Sequence, residues 1–299
     1  MEALLQWGLD LIVVIQQVHG PALDTFFRAI TFLGAEEFYL LLLPVLFWCV
    51  DFDLGARVGI FLLLSNYLNV CLKDLFRQPR PFDLDPSVQL AAAEGYGLPS
   101  GHAQSAIVVW GALAAWARER WIWGAAIGLT VLICFSRIYL GVHFPTDVLA
   151  GLAIGAVSLG LYLGMERSVT KWLAGLSLGR QMLLALVLPL ALLLLHPVKD
   201  TAMTMGALVG VAVGLTLTYR YVPFSAQGPW RQRISRFLIG SVIVVLLYGG
   251  LKMVFPGEES ALYLVFRFTR FGLIGLWASL GAPWLFRLLR LVPEAEEHR

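Results

Sequence analysis

The sequence predicts an all-α protein, a polytopic transmembrane helical bundle, and three observations carry that prediction. Hydrophobic residues make up 59% of the chain and charged residues 14%, a balance outside that of soluble domains. Long apolar runs recur through the 299 residues, and each bilayer crossing takes roughly 20 apolar residues whose backbone groups are bonded inside their own helix. The alternation of apolar and polar residues that a membrane β-barrel needs is not visible.

Taken in order, the first 18 residues have no basic leader and no small-residue cleavage site, and Asp10, Gln16 and Gln17 interrupt their apolar stretch. They read as an interfacial amphipathic helix rather than a signal peptide. A second amphipathic stretch lies near Ala22 to Phe32. Hydrophobic runs then appear at 37–50, 55–76, 103–117, 121–140, 147–165, 181–195, 202–219, 236–255 and 260–289, which predicts about nine membrane helices. Trp7, Trp48, Trp121, Trp123 and Trp284 fall near the ends of these segments and read as interface anchors. Cys49, Cys71 and Cys134 sit inside apolar runs without disulfide or zinc spacing, so they are expected to pack. A formal charge of +2 without a run of like charge argues against a nucleic-acid partner.

Lys and Arg in short loops set orientation. With nine spans, one side carries Arg57, Arg118, Arg120, Arg167, Lys171, Arg180, Arg220, Arg231, Arg233, Arg236, Arg287, Arg290 and Arg299. The other carries Arg28, Lys73, Arg77, Arg80, Arg137, Lys199 and Lys252. The first side is expected in the cytoplasm, which places the loops at 77–102 and 141–147 on the extracytoplasmic face.

Three stretches carry chemistry. Lys73-Asp74-Leu75-Phe76-Arg77-Gln78-Pro79-Arg80-Pro81 ends the second run with cations beside two helix-stopping prolines. They would concentrate an anion, or snorkel to the interface. Pro99-Ser100-Gly101-His102 feeds the N-terminus of the third run, where free N–H groups and the helix dipole favour a phosphate; alternatively Ser100 is only a cap. In Ser136-Arg137-Ile138-Tyr139-Leu140-Gly141-Val142-His143-Phe144-Pro145-Thr146-Asp147, a carboxylate follows a histidine by four residues across a helix start. A carboxylate on one imidazole nitrogen fixes the tautomer and leaves the other free to attack, and Arg137 offers a bidentate fork to phosphate oxygens. In an alternating topology all three stretches share one membrane face.

Lys73-x6-Arg80-Pro81, Pro99-Ser100-Gly101-His102 and Ser136-Arg137-x5-His143-x3-Asp147 resemble the three-part signature of the type 2 phosphatidic acid phosphatase superfamily, with every position filled. That superfamily includes bacterial lipid phosphate phosphatases, undecaprenyl diphosphate phosphatases, glucose-6-phosphatases and vanadate haloperoxidases. The resemblance implies that His143 attacks phosphorus and forms a phosphohistidine, that Asp147 orients it, and that His102 protonates the leaving oxygen. Lys73, Arg80, Ser100, Gly101 and Arg137 would hold the phosphoryl oxygens. No metal and no cofactor are implied, since the polar groups are cations and histidines rather than a carboxylate cluster.

The expected organisation is interfacial segments at 1–35, a phosphatase core at 36–168 and a transmembrane extension at 169–299 packed on the same domain. The expected fold is a six-helix phosphatase core plus about three additional C-terminal membrane helices, a layout that resembles the glucose-6-phosphatases. The leading reading is a membrane phosphatase for a lipid phosphate or diphosphate of the phosphatidic acid, phosphatidylglycerol phosphate or undecaprenyl diphosphate type. Its partners would be the bilayer and a phosphorylated lipid. A phosphatase for a soluble sugar phosphate, a transporter or flippase of a phosphorylated substrate, and a haloperoxidase are the rivals. Arg267 and Arg270 lie within the last run, where charges are costly. They either reach the site or hold a substrate head group, or else pair with Glu258 or Glu259 or snorkel to the surface.

Overall fold

The computed structural model describes residues 2–293. Residues 294–299, the last stretch of the predicted extension with Arg299 of the topology count, lie outside the described residues, as does Met1. Among the described residues the regular structure is helical. In chain order the helices are α1 (Glu2–Gln16), α2 (Pro21–Phe32), α3 (Glu36–Val45), α4 (Phe52–Phe76), the short α5 (Pro81–Leu84), α6 (Gly101–Ala117), α7 (Arg120–Tyr139) and α8 (Pro145–Ala174). They continue with α9 (Leu178–Leu195), α10 (Lys199–Tyr221), α11 (Trp230–Val254), α12 (Tyr263–Leu276) and α13 (Ala282–Leu288).

Seven helical segments are long and apolar enough to cross a membrane, and an eighth arises if α2 and the helix from Glu36 to Val50, bent by 49°, form one span. The protein is therefore an integral, multi-pass membrane protein. The runs at 37–50 and 103–117 account for the difference from the nine expected. The first holds Pro44 inside α3 and passes into a π-type turn at Leu46–Val50. The second is α6, whose 17 residues stop at Arg118 in the left-handed conformation.

The chain divides into two compact units, Met1–Leu40 with Leu68–Glu166, and Leu41–Tyr67 with Arg167–Arg299. In the first unit α6 and α7 form an antiparallel hairpin through the short link at 118–119, so the start of α6 and the end of α7 lie together. Close approach of α6 to α8 rests on two glycines one turn apart. A methyl group on Gly151 would strike the Ser100 carbonyl, and one on Gly155 would sit 3.0 Å from the Gln104 carbonyl. Small residues at this spacing let membrane helices approach backbone to backbone.

The segments read from sequence as interfacial also pack inward. Leu9 and Ile12 of α1 are buried with Val88 and Phe144. Phe27 of α2 stacks on Tyr139 at 4.4 Å, while Tyr139 donates its hydroxyl hydrogen to Asp24 at 2.6 Å.

In the second unit Gly206 and Gly210 of α10 face the backbone of Phe268 and Gly272 of α12, and a side chain at either glycine would collide. Trp48 is wholly buried; its indole donates to the Ala278 carbonyl at 2.9 Å, and its ring crosses Phe286 edge to face.

Candidate active site

Four helix ends in the first unit converge. The C-terminus of α4 brings Asn69 and Lys73, the loop after it Gln78 and Arg80, and the N-terminus of α6 Ser100, Gly101 and His102. The C-terminus of α7 adds Arg137, and the turn into α8 adds His143 and Asp147. Gly141 makes that turn possible: its φ is +68°, and a Cβ there would run into the Val88 carbonyl. A left-handed residue at the end of α7 reverses the chain at no steric cost only if it is glycine. Gln16 of α1 seals the turn by donating to the carbonyls of Val88 and Tyr139, both at 2.8 Å. Pro145 then starts α8 with a preset φ, so His143 stands two residues ahead of a helix and Asp147 inside its first turn.

His143 and Asp147 are 2% and 0% exposed. The His143 Nδ1 lies 3.3 Å from Asp147 Oδ2. The same oxygen accepts the Phe144 N–H at 2.9 Å, and Oδ1 accepts from the Gln78 side chain at 2.5 Å. The carboxylate is thereby held at both oxygens, and the Nδ1–H tautomer of His143 directs the Nε2 lone pair the other way. Arg80 Nη1 lies 3.3 Å from that Nε2. The rest of the Arg80 guanidinium is fixed by backbone carbonyls: Nε donates to Gly95 at 2.7 Å, Nη1 to Val142 at 2.8 Å and Nη2 to Glu94 at 2.7 Å. Gly97 lets the loop close over the pair, since a Cβ there would lie 2.9 Å from Asp147 Oδ2.

Burial, foremost, and then the charges of Arg137, Arg80, Lys73 and His102 hold His143 well below the usual histidine range. It is a neutral imidazole at neutral pH, as a nitrogen nucleophile must be.

The opposite wall offers donors without acceptors. Ser100 is fully buried, yet its Oγ finds no hydrogen-bond partner among the described residues, and Arg137 is 5% exposed with its Nε equally unpartnered among them. Arg137 is steadied by donating from Nη1 to Thr31 Oγ1 of α2 at 2.8 Å. Ser100 is the N-cap of α6 and makes no side-chain cap bond, so its hydroxyl does not occupy the amides at the start of the helix, Gly101 among them. The Ser100 amide itself donates to the Asp147 carbonyl at 2.9 Å, tying α6 to α8. His102 is half-buried beneath the turn between α2 and α3, where a Cβ on Gly34 would lie 3.3 Å from its ring. Lys73 is half-buried and near enough for its charge to act on His143. Orphaned donors, an anion-seeking helix start and two guanidinium groups around one imidazole suit a tetrahedral oxyanion. Among the described residues no group of three or more His, Cys, Asp or Glu is placed to share a metal ion.

The structure thus brings together all eight residues singled out from sequence. Sequence reasoning missed the residues that hold them. Asn69, one turn before Lys73, bonds to Gln104 at 2.8 Å and leans on the Pro99 carbonyl at 3.4 Å, shaping the Ser100–Gly101 turn. Asn69 and Gln104 are polar residues within apolar runs, a signal that alone would have flagged them. Gln78 occupies an unspecified position of the first motif, and Gln16 and Thr31 lie in segments assigned to the interface.

The fold is that of an integral membrane protein, and the site's chemistry suits a phosphoryl group. Two sequence profiles match, the PAP2 superfamily over residues 54–170 and the PAP2 superfamily phosphatase transmembrane extension over 202–296. The chain is 28% identical to the Arabidopsis thaliana protein named lipid phosphate phosphatase delta over 80% of its own length and 65% of that protein's, slightly under two thirds. It is 26% identical to mouse sphingosine-1-phosphate phosphatase 2 over 89% of this chain and 88% of the mouse protein. Among solved structures, a transmembrane PAP2-type phosphatidylglycerolphosphate phosphatase from Bacillus subtilis superposes with a TM-score of 0.51 at 26% identity, covering 56% of this chain and 89% of that one. The chain belongs to the PAP2 superfamily of phosphatases, and residues 202–296 are the transmembrane extension of that family.

Proposed function

We propose that this protein hydrolyses the phosphate monoester or diphosphate of a membrane lipid through a phosphohistidine, without metal or cofactor, on the extracytoplasmic face. The observation that carries the reading is the line Asp147–His143–Arg80. The carboxylate holds Nδ1, and Nε2 faces a guanidinium 3.3 Å away, where a phosphoryl oxygen would be neutralised as the nitrogen approaches phosphorus. The Nε2 lone pair forms the P–N bond as the P–O bond to the lipid breaks, and His102, held below the usual histidine range by burial and by Arg137, Lys73 and Arg80 until the substrate's negative charge offsets them, gives the leaving oxygen its proton. Asp147 stabilises the positive ring. Water then attacks phosphorus with His102 as base, the P–N bond breaks, and inorganic phosphate leaves. Lys73, Arg80, Arg137, Ser100 Oγ and the Gly101 amide hold the non-reacting oxygens through both steps. Because the phosphoryl group carries its charge on those oxygens, positioning and electrostatics supply most of the acceleration.

Lipid as the substrate is supported by the membrane span composition and by what the similar plant and mouse proteins are named for. The extracytoplasmic assignment rests on the asymmetry of Lys and Arg between loops. The test is phosphate release in detergent with EDTA from phosphatidic acid, phosphatidylglycerol phosphate, undecaprenyl diphosphate, sphingosine phosphate and glucose 6-phosphate. Turnover of one or more lipids with little from glucose 6-phosphate is the expected result. Turnover of the soluble ester alone, or a strict requirement for a divalent ion, overturns the corresponding part.

The depressed basicity of His143 gives a signed pH dependence. A lowered histidine pKa keeps the ring neutral to lower pH, so the acid limb of kcat/KM due to the enzyme should fall below pH ~6.5, the free-histidine value. Two substrates of different phosphate pKa separate this limb from the substrate's own. A common limb above 6.5 contradicts a neutral resting nucleophile.

A further inference from the structure

Arg267 and Arg270 lie one turn apart on α12, inside the segment Tyr263–Leu288 that is apolar enough to span a membrane. The structure gives them opposite circumstances. Arg267 is satisfied: Nε donates to the Lys199 carbonyl at 2.8 Å, Nη1 to the Tyr263 hydroxyl at 2.9 Å, and Nη2 lies 3.7 Å from the Asp200 carboxylate. Glu258 meets this group through the Tyr263 hydroxyl, whose hydrogen it accepts at 3.1 Å.

Arg270 is 8% exposed, its Nε has no hydrogen-bond partner among the described residues, and its guanidinium rests on two rings, Tyr248 of α11 and Phe271, each 5.2 Å from the centroid. Ring faces attract the cation but accept none of its five N–H donors in the plane of the fork. Seven residues past Tyr263, it lies about 10 Å along the helix at 1.5 Å per residue. A cation at such depth with a buried donor left unpaired is costly unless something brings oxygens to it. Next to Tyr248 on α11, Gly249 and Gly250 are uncovered, since a Cβ on either would meet nothing within 4 Å. One turn from these groups, Val245 and Leu273 are exposed apolar residues, 68% and 40%, of the kind that lie against lipid tails.

We propose that Arg270 is the anchor of a binding site for the phosphate of an anionic phospholipid in the transmembrane extension, with the acyl chains along α11 and α12. The planar fork, its faces held by Tyr248 and Phe271, presents its edge to two phosphate oxygens. Phosphate oxyanions arise on lipids and as free phosphate, and the site's depth among apolar residues favours the lipid.

The test is thermal unfolding of the full-length protein in nanodiscs of phosphatidylcholine, with and without phosphatidylglycerol, and separately with inorganic phosphate. An Arg80→Gln background weakens the catalytic site as a competing phosphate binder, and any phosphate effect that remains there is indifferent to Arg270→Gln. Phosphatidylglycerol should raise the Tm by about 3 °C, the order expected when a ligand saturates the native state of a chain this size. Arg270→Gln should abolish the rise, Arg270→Lys should keep the fold and lose most of it, and Arg267→Gln should lower the starting Tm while keeping the increment. An equal rise in wild type and Arg270→Gln, or none in wild type, overturns the site. A rise that inorganic phosphate alone produces and Arg270→Gln removes overturns the lipid as its occupant.

Discussion

His143→Ala is expected to lower phosphate release by at least ~10⁴-fold, the scale seen when a nucleophile that works as part of a unit is removed. The loss should be chemical rather than structural. The turn that carries His143 is fixed by neighbours the substitution leaves in place: Arg80 on the Val142 carbonyl, Gln16 on the Tyr139 carbonyl, and Phe144 in the cluster with Leu9, Ile12 and Val88. Arg80 would lose its contact with Nε2 and keep its carbonyl partners. The measurement is kcat in detergent beside the Tm of both proteins, with acid-labile radiolabelled phosphate trapped on wild type during turnover and absent from the variant. A folded variant retaining more than a tenth of wild-type activity would remove His143 from the nucleophile's place and leave His102 as the alternative.

Asp147→Asn is expected to cost ~10³ to 10⁴-fold in kcat with KM nearly unchanged, by analogy with the loss of the orienting carboxylate in other histidine-dependent sites. The shape is preserved, but the charge that stabilises the ring while it is bonded to phosphorus is gone. An amide can also turn its NH2 toward His143 and favour the wrong tautomer. Gln78 acts on the same carboxylate from behind. Gln78→Ala would leave Asp147 Oδ1 without its partner in a buried site and let the group turn, for which roughly tenfold in kcat is expected, about the scale of one hydrogen bond to a charged group. A purely structural Gln78 would lower Tm without moving kcat, so the split between the two distinguishes the roles. Asp147→Asn with activity within tenfold of wild type would show that the imidazole needs no carboxylate.

Much of this architecture is legible in the sequence because the bilayer leaves few choices. Runs of 15 or more apolar residues such as 181–195 and 202–219 can satisfy their backbone only as helices, and they appear as α9 and α10. The motif residues were legible because their chemistry is unusual there: cations, histidines and a carboxylate beside apolar helices that would otherwise exclude them. The short and bent pieces were not. The run at 37–50 carries Pro44 and a π-type turn, and hydropathy does not register a kink. α1 and α2 showed an amphipathic pattern that suits an interface as well as a protein surface, and only packing reveals that Gln16 and Thr31 face the site. Arg267 and Arg270 read identically, three residues apart in one helix; Asp200 and the Lys199 carbonyl from α10 decide that one is paired.

The sequence by itself determined that this chain is a membrane helical bundle of the PAP2 superfamily, since composition, run length and three short motifs are local properties. Tertiary structure alone decided which atoms meet. That Gln78 holds Asp147, that Arg80 is pinned by the carbonyls of Glu94, Gly95 and Val142, and that Arg270 faces rings instead of oxygens are consequences of long-range contact. Such contacts depend on where glycines let helices touch and how far side chains reach, which no local pattern encodes.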